Sequence, residues 1–389
     1  MKKLAIVTTH PIQYNAPFFK LLTERGKVAP KVFYTWPQAL EGFTDEEFGK
    51  DIQWDIPLLD GYDWEAVENV SKNPGSKNWG GIDCPNLIHQ IKAFQPDAVL
   101  IYGWNFKSHF KVMRYFKGKV PLWFTGDSTL LDEKPGWQKM MRRILLRWVY
   151  WHIDMAFYVG SNNRKYFQVH GLKENQLIHF PHAIDNERFA DNEERQYETS
   201  ALTWRKELGY DDDDIVLLFA GKFETKKNPI LLIETLIEFH NSSNPSIHGL
   251  LIGNGPLEKE LKQLAKEYEN IKFLPFKNQS LMPVVYRLGD IFCLPSTGPG
   301  ETWGLAVNEA MSCSKPVIVS NKVGCAADLV LANVTGKVFD CNKTFDLKKA
   351  LLTLIRSDLK EMGKRSLNHI QNWNFTNKCI AIENAISRD

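Results

Sequence analysis

The chain has no run near the eighteen or so apolar residues that a membrane span needs, so the expectation is a soluble or membrane-peripheral protein. Its opening, Met1-Lys-Lys-Leu-Ala-Ile-Val-Thr-Thr-His10, is apolar only over Leu4 to Val7, which suits a first strand better than a secretory leader. The six cysteines (84, 293, 313, 325, 341 and 379) form no C-x-x-C pair, which argues against a disulfide scaffold and suits free thiols in a reducing cytoplasm. Histidine and cysteine nowhere take zinc spacing, and no G-x-S-x-G elbow occurs. A net charge of +2, with no basic arm, speaks against nucleic-acid binding. Low-complexity stretches and short-period repeats are also missing.

What is present is length and alternation. A chain of 389 residues exceeds one ordinary core, so two domains are expected: 1–183 and 184–373, with a C-terminal helix at about 374–389 returning to the first. Beyond Asp185 strands and helices alternate plainly. Strands are expected at 216–220, 249–252, 271–276, 290–294 and 316–320, and helices at 229–240, 257–268, 283–288 and 304–312. Such alternation implies a parallel sheet covered on both faces, with ligands beyond the carboxyl ends of the strands. The first half has strands at 4–8, 31–35, 97–102, 121–125, 155–160 and 177–180, interrupted by a tryptophan-rich insertion over 36–86.

The spacing from Glu301 to Glu309, in Gly300-Glu-Thr-Trp-Gly-Leu-Ala-Val-Asn-Glu-Ala310, carries the most functional information. Pro295 ends a buried strand, a loop follows, and a helix starts near Gly304. The first amides of that helix, Leu305 among them, have no partner within it and form an anion site. Glu309 lies five residues on, roughly 7.5 Å at a rise of about 1.5 Å per residue, about the reach from a diphosphate to its ribose. Glu301 falls on the other side, where a donor sugar would lie. The bland alternative is two solvated glutamates beside a helix.

In Phe219-Ala-Gly-Lys-Phe-Glu-Thr-Lys-Lys-Asn228, Gly221 ends a strand and Lys222 and Lys227 occupy the loop after it, where two ammonium groups could neutralise a leaving diphosphate. Solvated loop lysines are the alternative. Gly253 and Gly255, in Leu251-Ile-Gly-Asn-Gly-Pro256, make a second strand-end turn, a weak signal alone. Phe276 and Trp303 join the donor-side candidates. Asp211 to Asp214 precede a strand at its amino end, so a solvated turn is expected rather than a metal site.

Charge is uneven. Residues 102–173 hold 13 basic and 4 acidic side chains. Within them, Trp137, Met140, Met141, Ile144, Leu145, Trp148 and Trp151 share one arc of a helix, with Lys139, Arg142, Arg143 and Arg147 opposite. The plain expectation packs the apolar arc on the sheet and leaves the basic face in water. The alternative is contact with an anionic membrane through 137–151.

The C-terminal half resembles family 4 of the retaining glycosyltransferases. Ala220 to Asn228 looks like the donor-phosphate loop G-R/K-x-x-x-x-K-G/N, Leu251 to Leu257 like G-x-G-P-L, and Glu301 to Glu309 like E-x7-E. Pro181-His-Ala-Ile-Asp-Asn-Glu-Arg-Phe189 is similar to the interdomain P-N-G-V-D segment. The resemblance implies a GT-B fold, two Rossmann-like doubly wound parallel-sheet domains facing across a cleft. It implies that Lys222 and Lys227 hold the diphosphate with help from Gly304 and Leu305, that Glu301 meets the donor sugar and that Glu309 meets the ribose diol. It further implies retention, no metal and no cofactor beyond the nucleotide-diphosphate sugar.

Two departures fall on the acceptor side. Where many relatives carry a histidine the sequence is Thr125-Gly-Asp-Ser128, so Gly126 offers no imidazole and Asp127 or Ser128 becomes the candidate for contact with the sugar. The first strand leads into Thr9-His-Pro-Ile-Gln-Tyr14 without a double glycine, which places His10 and Gln13 near the cleft together with His182. The expected function is transfer of a sugar to a glycan or lipid-linked acceptor in cell-surface polysaccharide or glycoconjugate synthesis, in the cytoplasm or at the inner membrane face. The alternatives are a nucleotide-sugar epimerase on the same fold and a non-catalytic sugar-binding protein.

Overall fold

The structure, a computed structural model, describes residues 1–40, 43–45, 50–52, 54–241, 246–343 and 345–388. Parts of the insertion expected over 36–86 thus lie outside the described residues. The chain divides into two compact units, one of Met1–Thr44, Asp51–His182 and Asn374–Asp389, the other of Asp45–Lys50 and Ala183–Trp373.

Unit 1 is built on β1 (Lys2–Thr8), β2 (Val28–Tyr34), β5 (Asp63–Ala66), β6 (Ala98–Tyr102), β7 (Leu122–Gly126), β8 (Met155–Tyr158) and β9 (Leu177–His179); β3 (Phe43–Asp45) and β4 (Lys50–Ile52) form a separate two-stranded sheet. The seven strands lie in the order β5-β2-β1-β6-β7-β8-β9, and each adjacent pair is parallel. The central strands are apolar throughout because both faces are covered: Leu4 to Val7 and Ala98 to Ile101 are fully buried. The order reverses beside β1, which sends the loops after β1 and β6 apart and opens a crevice at their carboxyl ends. The terminal helix Phe375–Ile386 lies against the helix Ala16–Glu24, with Phe375 on Phe18 and Glu383 bound to Arg25 at 2.5 Å.

Unit 2 contains β10 (Ile215–Ala220), β11 (Ile247–Ile252), β12 (Ile271–Leu274), β13 (Ile291–Leu294), β14 (Val317–Ser320) and β15 (Gly336–Phe339), in the order β12-β11-β10-β13-β14-β15 and parallel throughout. Here the reversal falls between β10 and β13, which pair through Leu217 with Ile291 and Leu218 with Phe292. The loops leaving these two strands are therefore neighbours.

Besides the short pair β3 and β4, two strands of the main sheets escape the sequence reading. β5 is an edge strand, Asp63-Trp-Glu-Ala66, half exposed and without an apolar run. β15 is only four residues long and buries just its two ends, Gly336 and Phe339. One helix is shorter than its pattern: 257–268 becomes Glu258–Leu264, after which the chain makes two turns, Tyr268 bonding back to Ala265 and Ile271 to Tyr268.

The largest departure is the helix Trp137–Tyr150. It packs through Leu146, Val149 and Tyr150, and its apolar arc, expected on the sheet, faces water. The cause is the inner face: Lys139 and Arg143 are held by Glu133 at 2.7 and 3.1 Å, and Arg142 reaches the Tyr166 hydroxyl. With Leu146, Val149 and Tyr150 these contacts fix which face of the helix meets the protein, while Arg147 stays exposed and the seven apolar side chains point outward.

Candidate functional site

In unit 2 the loop after β10 and the loop after β13 meet at the strand reversal. The amide of Thr297 donates to the Lys226 carbonyl at 2.9 Å and fastens them together. Lys227 then reaches Glu301: its ammonium lies 2.5 Å from Oε2, and the Ser296 hydroxyl donates to the same oxygen at 2.9 Å. Glu301 is only 7% exposed, and a carboxylate so buried is tolerated because a cation and a hydroxyl compensate its lost hydration. Ser296 is a site residue that the spacing of charged residues did not reveal. Its position directly after Pro295, at the end of β13, is the signal that marks it.

Gly304 stands at the N-cap of the helix Leu305–Ser312 with φ of +95°, a left-handed conformation that favours glycine. A side chain there would press on Val323 and Leu294 at 2.9 and 3.1 Å. The turn is held in place from outside, since the Gly324 amide donates to the Glu301 carbonyl and that of Cys325 to the Trp303 carbonyl. Trp303, a donor-side candidate, turns into the core and donates from its indole to Asn308 at 2.8 Å. Glu309, on the same helix, is 3% exposed, and its Oε2 accepts from the Tyr286 hydroxyl at 2.6 Å. Tyr286 lies on the helix Met282–Arg287, too far away in sequence to be linked to Glu309 by pattern.

Lys222 and Gly221 follow β10 directly, and the turn after β11 packs beneath them. Gly253 bonds to Leu274, and a Cβ on Gly253 would stand 1.9 Å from the Gly221 carbonyl oxygen, so only glycine permits this approach. Asn254 links three loops: its carbonyl accepts from Phe223, its side-chain oxygen accepts from the Phe276 amide, and its amide group donates to Glu258. Phe276 is thereby fixed through its backbone, and Gly255 lies against Phe223. The structure brings Lys227 and Glu301 into contact, and gathers Gly221, Lys222, Gly253 and Gly255 along the carboxyl edge of the sheet. Glu309 stands with Tyr286, one turn into the helix that follows Gly304.

Unit 1 has its own polar edge. His10 bonds to Thr9 and packs edge-on against Trp36 at 5.1 Å, and burial pushes its imidazole down to about 4. Gln13, three residues on, is buried. Gly126 closes β7 and, with Asp127 and Ser128, lines a cavity of about 340 Å³ that Trp104, Tyr166 and Arg142 complete. His182 follows β9. Burial pushes its imidazole down to about 4, while Asp127 opposes that shift and Lys378 adds to it. His182, in the segment after β9, is thus near enough to Asp127 for the two charges to interact. Lys378, on the terminal helix, was not a candidate: it is buried against Phe18 and Phe180, and desolvation pushes its amine down to about 7.

Asp214 at the amino end of β10 caps its own turn through the Asp211 amide and meets His248 at 3.1 Å. Among the described residues no three His, Cys, Asp or Glu side chains gather as a metal-holding group. None of the six cysteines forms a disulfide, and five are buried.

Residues 200–370 match the family model described as glycosyl transferases group 1. The D-inositol 3-phosphate glycosyltransferase of Geodermatophilus obscurus is 27% identical over 224 residues, which cover 53% of this chain and 46% of that one. The chain thus spans under half the length of that relative. The Anabaena protein HepE in complex with UDP superposes with a TM-score of 0.73 at 17% identity, covering 100% of both chains. Sucrose-phosphate synthase of Thermosynechococcus elongatus gives 0.68 at 16% identity, covering 100% of this chain and 99% of its own. The chain thus has two parallel-sheet Rossmann-like units of the GT-B type, and the second of them contains the stretch, under half of the chain, that is similar to the glycosyl transferases group 1 model.

Proposed function

We propose that this protein is a retaining glycosyltransferase that moves a sugar from a nucleotide-diphosphate sugar to a glycan or lipid-linked acceptor. The observation that carries the reading is the buried contact of Lys227 and Ser296 with Glu301 where β10 and β13 diverge, in the segment that matches the family. HepE was solved with UDP on the same fold, which supports a nucleotide donor here.

In the proposed reaction the bond between the anomeric carbon and the diphosphate breaks, and its electron pair leaves with the phosphate. An acceptor hydroxyl attacks the same face of the sugar and forms the new glycosidic bond. Its proton passes to the departing phosphate oxygen, so the anomeric configuration is kept. Lys222, Lys227 and the amides after Gly304 stabilise the charge that develops on the diphosphate, the role a divalent cation plays elsewhere. Glu301 contacts the sugar hydroxyls and holds the Lys227 ammonium in position before the donor arrives. Glu309 accepts from the ribose diol. Acceptor recognition is assigned to unit 1, at Asp127, His182 and the cavity beside Gly126.

The test is a panel of nucleotide sugars scored by thermal shift, followed by product NMR with and without chelator. Stabilisation by one nucleotide family and a product that keeps the donor's anomeric configuration are the expected results. Interconversion of the donor with no acceptor present would replace this reading with that of an epimerase, and an inverted product would remove the retaining mechanism.

A further inference from the structure

The helix Trp137–Tyr150 breaks the ordinary pattern of an amphipathic helix. Its seven apolar residues, from Trp137 to Trp151, are between 47% and 72% exposed. The patch continues off the helix, since Trp148 packs on Phe110 at 5.1 Å and Phe110 on Trp79 at 5.9 Å, with Trp79 itself 47% exposed. A contiguous face of this size on one helix marks an interaction surface.

Charge decides between occupants. Beside the C-terminal end of the helix lies a cavity of about 610 Å³ lined by Lys117, Arg147 and Lys173, with Trp151 and Asp154. Asp154 offsets one of these cations, taking Lys117 at 3.2 Å, while the Lys117 ammonium also lies 5.6 Å from the Trp151 ring. The surrounding segment, 102–173, carries 13 basic against 4 acidic residues. A second copy of this chain, docking by twofold symmetry, would set these cations against their own images. An anionic lipid surface offers hydrocarbon to the tryptophans, methionines and leucine and phosphate to the cations at once. No described helix is long and apolar enough to cross a membrane, so the helix would lie in the interface plane.

We propose that the face Trp137–Trp151 docks on an anionic phospholipid bilayer, its apolar side chains entering the acyl boundary and a headgroup phosphate entering the cavity of Lys117, Arg147 and Lys173. The same helix sends Arg142 from its inner side to the cavity beside Gly126 and Asp127. Docking would hold that cavity near the bilayer, where a lipid-linked acceptor resides. The proposal rests on surface chemistry alone, so a chain that binds vesicles but transfers no sugar would overturn only the transferase reading.

The experiment is flotation of the full chain with phosphatidylcholine vesicles, with and without about one third phosphatidylglycerol. Each basic residue near an anionic surface adds about 1 kcal/mol, so the anionic vesicles should bind at least about tenfold better, and the difference should shrink at high salt. The triple variant Trp137→Glu, Ile144→Glu and Trp148→Glu should lose binding, and Arg147→Glu with Lys173→Glu should lose the preference for anionic lipid. Quenching of wild-type tryptophan fluorescence by lipids brominated on the acyl chain tests insertion without any variant. Equal binding to neutral vesicles, no binding to either, no quenching, or a dimer that the triple variant abolishes in place of vesicle binding would each overturn the proposal.

Discussion

Two helices of this protein invert the usual rule, in opposite directions. Leu305–Ser312 in unit 2 buries a carboxylate, Glu309, against a tyrosine hydroxyl, whereas Trp137–Tyr150 in unit 1 exposes tryptophan, isoleucine and methionine to water. Each arrangement works against folding stability. A buried carboxylate loses hydration, and an exposed Trp forgoes the gain that burial would bring. On the roles proposed above, the two helices suit different partners: polar groups held inward suit a small charged ligand, and apolar groups held outward suit an extended surface. A sequence read by the rule of apolar inside and polar outside misjudges both, and such failures concentrate at functional sites.

The comparison breaks most sharply at Lys227. Lys227→Ala removes the cation that the proposed reaction places at the leaving group and takes from buried Glu301 its ion pair. Loss of a preorganised charge donor lowers turnover by about 100-fold or more, and steady-state kinetics with the identified donor check this. An unchanged kcat would place the charge stabilisation elsewhere.

Glu309→Gln should come next, with about tenfold weaker nucleotide binding by calorimetry and a smaller change in kcat. Tyr286→Phe separates structure from binding here. It removes one buried hydrogen bond, so stability should fall by about 1 kcal/mol, while the Glu309 carboxylate remains to take the ribose. If both variants lose stability equally and neither loses affinity, Glu309 is a structural residue.

Lys378 sharpens the contrast within unit 1, because it is a buried amine with rings in place of a carboxylate. Its amine is pushed down to about 7, from an unfolded value near 10.5. Between these values the unfolded chain binds the proton and the folded one does not, so stability rises with pH from about 7 to 10.5 and is flat outside that window. Lys378→Met should remove the slope and add about 1 kcal/mol at neutral pH, read by denaturant unfolding at pH 7 and pH 9. His10 and His182, both pushed down to about 4, act in the same direction at lower pH, costing stability as pH falls from 6.5 towards 4.

The smallest expected effect is at the exposed face. Trp148→Glu changes a half-exposed side chain, so thermal unfolding should move by no more than about 0.5 kcal/mol. A large loss would show that Trp148 is anchored in the core through Phe110.

The alternating α/β pattern was legible because it is local. A buried parallel strand needs four to six consecutive apolar residues, as in Ile215 to Ala220 or Ile291 to Leu294, and those runs announce themselves. The edge strand Asp63–Ala66 did not, since an exposed edge needs no such run. Glu301, Lys227 and the glycine turns were likewise visible, because strand ends and helix starts carry short-range signals of glycine, proline and charge. Ser296, Tyr286 and Lys378 were not, because a hydroxyl or an amine gains meaning only from what it faces.

The sequence by itself therefore determined which elements form, their parallel arrangement and which loops leave the carboxyl ends of the strands, since hydrophobic period and turn chemistry act over a few residues. Only the tertiary structure decided that Lys227 and Ser296 share one oxygen of Glu301, that Tyr286 holds Glu309, and that the helix Trp137–Tyr150 turns its apolar arc outward. The amphipathic pattern of that helix specifies two faces and leaves open which one meets the core. Glu133 and Tyr166, which grip its basic side, settle the choice through contacts that no periodicity contains.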